Sequence, residues 1–133
     1  MPNASAPSVI DFVNLVALFL AVWHTVRRLD AARHGPERHP AIDSAEVGRW
    51  QSAALRAHAI VIWTCFAYIA LDLAFKALAL PDLARINLGA ARAVGASLFA
   101  IWLVGVAIGI YRVRNAERWR EQLGIDRRPG SDS

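Results

Sequence analysis

Three runs of apolar residues, each long enough to cross a bilayer, limit what this chain can fold into: about 9–26, 57–80 and 93–111. A helix rises ~1.5 Å per residue, so ~20 mostly apolar residues match the ~30 Å hydrocarbon core of a membrane. Helices of soluble bundles carry charge on an outer stripe every turn or so. Here the charges sit near the ends of the runs, apart from Asp72 in the second. The expected fold is therefore an all-α integral membrane protein with three transmembrane helices. Its 133 residues suit a single domain, 1–124, followed by a disordered tail at 125–133.

The basic residues indicate an orientation. Residues 1–10 have none, whereas the first connection, Arg27 to Arg56, carries six arginines and the segment after Tyr111 carries six more. Only Lys76, Arg85 and Arg92 lie around the second connection. Twelve against three, by the bias of cytoplasmic loops toward Lys and Arg, predicts a multi-pass protein with its N-terminus outside and its C-terminus in the cytoplasm. Of fifteen basic residues one is Lys, and with abundant Ala this compositional bias points to a bacterial inner membrane. The net charge of +4 does not indicate nucleic acid, because the arginines flank the apolar runs and form no separate basic domain.

Local signals divide the chain further. Ser8 and Asp11 have the spacing of a capping box opening the first helix. Trp23, His24 and Thr25 lead into Arg27 and Arg28, the pattern of an interface anchor. Gly35, Pro36 and Pro40 predict an irregular loop over 27–43, and Asp43 with Glu46 predicts a helix start. That interfacial helix, with Trp50 inserted among lipid headgroups, is expected to lead into the second span. Pro81 is expected to end the second span, with PDLARINLG as a short outer connection that makes the second and third helices an antiparallel hairpin. After Tyr111 the sequence keeps helical spacing, which predicts an amphipathic C-terminal helix ending near Gly124. Its Arg112, Arg114, Arg118, Trp119 and Arg120 are read as a basic tail facing anionic lipid headgroups.

The second run carries a polar stripe. His58, Cys65 and Asp72 recur every seven residues and Lys76 follows four later, so one helix face holds them all. Asp72 lies ~21 Å along the helix from His58, at the depth of Asn14 in the first run, so these two can meet if the helices touch. Lys76, one turn on, can pair with Asp72 and extend outward. Cys65, the lone cysteine, reads as a small buried hydrophobe. In the third run Gly95, Trp102, Gly105 and Gly109 share a face, with GVAIG supplying the GxxxG spacing that lets helix backbones approach.

His24 and His58 fall at similar depth on different helices, where two imidazoles could ligate haem b iron or help bind a metal. His34 and His39 lie in the loop, but no Cys pair or HExxH accompanies them, so no metal is expected. Three spans with interfacial histidines resemble the membrane anchors of succinate dehydrogenase, which bind haem and quinone. The Arg-His-rich helix signature of those anchors is not evident here. LRAH at 55–58, opening a span after a basic loop, is similar to the membrane-associated eicosanoid and glutathione metabolism family. That family continues with an Asn and a Glu where this chain has Ile60 to Trp63, and it uses four spans. Neither resemblance carries a function over.

No phosphate loop, nucleophile elbow or catalytic triad order is visible, so an enzyme is not the expectation. The expected function is helix–helix packing, as an accessory or assembly subunit of a membrane complex or as a homo-oligomer. Its expected partners are the lipid bilayer and other transmembrane helices. A haem b or quinone-binding redox subunit using His24 and His58 is the alternative, and a proton or ion carrier using Asp72 a further one.

Overall fold

The computed structural model describes residues 9–125, with side chains from Phe12 onward, so the Ser8–Asp11 capping box and the tail beyond 125 lie outside the described residues. The described residues are mostly helical and contain no strand: α1 (Val9–Arg33), a 3₁₀ turn (Pro36–Arg38), α2 (Ser44–Ala74), a π-helical stretch (Phe75–Ala79), α3 (Leu80–Ile86) and α4 (Leu88–Leu123). Three helical rods are long and apolar enough to cross a membrane: Phe12–Arg33, Ser44–Ile86 and Leu88–Leu123.

Local chemistry explains most of the boundaries. The Asp43 carboxylate accepts from the Ala45 amide and starts α2, while the Asn87 side chain accepts from Ala90 and starts α4. Gly124 adopts φ +78°, a left-handed conformation that closes α4 and turns the chain back so that Ile125 joins a core cluster. Gln51 reaches from α2 and donates to the carbonyls of Ala31 and Ala32 in the last turn of α1.

Three expectations change. Pro81 does not end the second helix, which continues to Ile86. A proline ring clashes with the carbonyl four residues back, and the π turn just ahead of it widens the helix, with Leu80 donating to Phe75 five residues back. The second connection is consequently shorter than expected, because α4 begins at Leu88 and Asn87 alone separates it from α3. As expected, the helix starting at Asp43 runs on into the second apolar run, and helical structure continues from the third run into the amphipathic C-terminal segment. The stretch 27–43 is also less irregular than expected, since α1 continues to Arg33.

α2 is central, packed against α1 on one side and α4 on the other, while α1 and α4 make few direct contacts. Its buried residues Val61, Cys65, Tyr68 and Asp72 alternate steps of four and three, the spacing of a coiled-coil seam. Facing them are Val13, Ala17 and Ala21 on α1 and Trp102 and Val106 on α4. Helices pack closely where small residues let their backbones approach. Gly105 and Gly109 do so: a Cβ on Gly105 would lie 2.6 Å from the Thr64 methyl, and one on Gly109 2.6 Å from a Val61 methyl.

The rods exceed a bilayer. Ser44–Ile86 has 43 residues and α4 has 36. At ~1.5 Å per residue these are about 64 and 54 Å long, against a ~30 Å hydrocarbon layer. The excess at the end holding the α1–α2 connection, the loop end, carries a second core of Ala31, Val47, Trp50, Ala54, Ala116 and Ile125. The opposite end, where α3 turns into α4, is the hairpin end.

Candidate functional site

Buried polar groups occur in three layers. At the hairpin end Asp72 is 2% exposed. Its Oδ2 accepts from Asn14 Nδ2 at 2.8 Å and from Lys76 Nζ at 2.9 Å. An isolated carboxylate in such surroundings costs several kcal/mol, and the cation with the amide across the helix interface offsets that. The same set fastens α1 to α2.

In the middle layer His24 Nδ1 and His58 Nδ1 are 2.9 Å apart, one ring donating to the other, with both side chains buried. Two axial haem ligands must stand on opposite faces of a porphyrin, and rings in hydrogen-bond contact leave no space for that plane. The pair in this arrangement does not fit haem. No group of three or more His, Cys, Asp or Glu side chains among the described residues is placed to hold a metal. Between this layer and Asp72 the buried α2 seam consists of Val61, Cys65 and Tyr68. Cys65 accepts from Trp102 Nε1 at 3.5 Å, and the Tyr68 and Trp102 rings pack at 5.3 Å.

At the loop end Arg120 forms a hub at 5% exposure. Its Nε donates to the Ile125 carbonyl at 3.2 Å, Nη1 pairs with Asp30 at 3.3 Å, and Nη2 reaches His34 Nε2 at 3.4 Å. The guanidinium also lies over the Trp50 ring at 5.7 Å. Trp50 Nε1 donates to the Ala116 carbonyl at 2.9 Å, so this indole enters the protein's own second core. His34 Nδ1 meets His39 Nε2 at 3.0 Å, and Arg27 pairs with Glu117. This layer ties α1 to α4 where direct helix contact is sparse.

The side chains read as a basic tail therefore divide. Arg112, Arg114 and Arg118 are exposed and Trp119 is half-buried, but Arg120 points inward. A sequence signal for this existed, because Val106, Val113 and Arg120 recur every seven residues on the buried face of α4. Of the four residues read as a helix-packing face, Gly105 and Gly109 lie against α2 and Trp102 is buried beside Cys65. Gly95 borders open space, with nothing within 4 Å of an added Cβ. The sequence reading also missed a cavity of about 420 Å³ at the hairpin end, bordered by Gly95, Tyr68, Asp72, Lys76 and Arg92. No protein-family model matches the chain, and comparisons with curated proteins and with solved structures found no match.

Proposed function

We propose that this chain is a multi-pass protein of a bacterial inner membrane, with its hairpin end outside and its loop end and C-terminus in the cytoplasm. Its role in this reading is that of a rigid accessory or assembly subunit, joined to other transmembrane helices or to further copies of itself. One observation carries the proposal. The buried polar layers bind helix to helix inside the chain, while large apolar side chains on all three rods face outward, Phe19, Trp63, Leu78 and Ile101 being 67–79% exposed. A surface of this kind suits lipid and neighbouring helices. Contact with a partner is assigned to these outer faces, since Gly105 and Gly109 already pack against α2.

Gentle extraction from the native membrane tests the role. A discrete complex of fixed stoichiometry, larger than the 14.6 kDa chain, is expected. A monodisperse monomer extracted across several mild detergents would rule out the subunit role. The absorption spectrum of the same fraction checks the redox alternative, which requires a haem or quinone signature that His58→Ala removes.

A further inference from the structure

The third helix uses its small residues in two ways. Near mid-rod, Gly105 and Gly109 bring α4 against α2, but at Gly95 the same face borders open space. The π turn falls beside this gap and contributes Phe75 and Lys76 to its wall. The resulting cavity of about 420 Å³ is within the ~300–1,000 Å³ range of small-molecule sites. All three rods border it, through Val13 of α1, Tyr68 of α2, and Gly95 and Phe99 of α4, and its lining is mostly apolar. It lies chiefly between the second rod and α4, with Val13 of α1 at its edge.

Three charged side chains border the cavity, Asp72, Lys76 and Arg92. Asp72 and Lys76 form an ion pair at 2.9 Å. Arg92 also lines the cavity and forms no ion pair among the described residues. It immediately precedes the apolar run at 93–111, which places it at headgroup level once that run spans a bilayer. A guanidinium matches a phosphate in geometry as well as charge. An apolar cavity bordered by the Arg92 guanidinium complements an amphiphile with a negatively charged headgroup.

We propose that this cavity seats an acyl chain of an anionic phospholipid whose phosphate is held by Arg92. A phosphatidylglycerol-type lipid supplies one net negative charge. A choline lipid brings a second cation close to Arg92 and Lys76. The inference rests on the membrane insertion proposed above and not on the subunit role.

The test uses the full chain, delipidated in mild detergent and titrated with phosphatidylglycerol or chain-matched phosphatidylcholine under native mass spectrometry. Wild type should retain phosphatidylglycerol about tenfold better, the scale of one charge-assisted contact. Arg92→Gln should abolish that preference. Gly95→Phe should reduce binding of both lipids, because the new ring occupies the cavity where an added Cβ meets nothing within 4 Å. Circular dichroism checks its fold, and if it does not fold, Arg92→Gln decides alone. Equal retention of the two lipids by wild type overturns the proposal, as does an unchanged preference in Arg92→Gln. Displacement of phosphatidylglycerol by equimolar palmitate would reassign the cavity to free fatty acid and also overturn it. A carbonate wash of membranes separates the two failures: a chain released by the wash defeats membrane insertion itself, and a retained chain without lipid preference defeats only this inference.

Discussion

Arg120 shows how one side chain can organise an end of the protein. Its guanidinium meets Asp30, His34, Trp50 and the Ile125 carbonyl, joining α1, α2 and the chain beyond α4. Removing one partner of a buried charged set leaves others uncompensated and costs about 3–5 kcal/mol, less where one partner is partly wet. Asp30 is 37% exposed at its side chain, so Arg120→Ala should lower unfolding free energy by about 2–3 kcal/mol. The exposed Arg118 supplies the control: Arg118→Ala should change it by less than about 0.5 kcal/mol. Equal effects in a denaturant titration in detergent would contradict the inward reading of Arg120. Asp72 follows the same logic at the other end. Asp72→Ala takes the carboxylate from both Asn14 and Lys76 and should cost about 3 kcal/mol. A double variant, Asp72→Leu with Lys76→Met, removes both charges and should recover most of that loss. No recovery in thermal unfolding would show that the loss does not come from the uncompensated Lys76 cation, and would trace it to the Asn14 amide left without its acceptor.

Among the elements, α4 makes contrasting predictions at glycines on one face. At Gly109 an added Cβ would lie 2.6 Å from a Val61 methyl and 3.3 Å from the Val61 backbone nitrogen, and the backbone cannot move aside as a side chain can. Gly109→Leu should therefore destabilise by about 3 kcal/mol or more, while Gly95→Leu should be nearly neutral. Thermal unfolding of the two variants checks this, and equal stability would refute the close approach of α2 and α4. The elements also show what the sequence could reveal. The three rods were legible because bilayer thickness sets a length requirement that composition alone can meet or fail. The stripe of His58, Cys65 and Asp72 was legible for a similar reason, since helical spacing fixes a face whatever the environment; all three are buried. The passage through Pro81 was not, because the proline rule concerns an α-helix and here a π turn absorbs the strain. Arg120 was missed because composition placed it with its exposed neighbours, although its seven-residue spacing from Val113 placed it on the buried face. Trp50 was expected among headgroups for the same reason: an indole among arginines suits an interface, and only the tertiary contact with Ala116 shows that it is covered by protein.

At the scale of the whole molecule, two rods longer than a bilayer is thick must place their excess somewhere. The second core gathers at the loop end, with Val47, Trp50, Ala54 and Ala116, so most of the excess belongs there. The arginine distribution would put that end in the cytoplasm. Two labelling sites test orientation and insertion together, since Cys65, the lone cysteine, is fully buried and should stay silent. Ser52 is exposed at the loop end and Arg85 is exposed at the hairpin end. A membrane-impermeant maleimide should label Ser52→Cys in inside-out vesicles and not in spheroplasts, and Arg85→Cys in spheroplasts and not in inside-out vesicles. The opposite pattern would invert the topology while keeping the fold. Labelling of both positions from one side would defeat insertion of the Ser44–Ile86 rod, because the two positions lie 33 residues apart on it, about 50 Å, and a spanning rod must present them to opposite compartments.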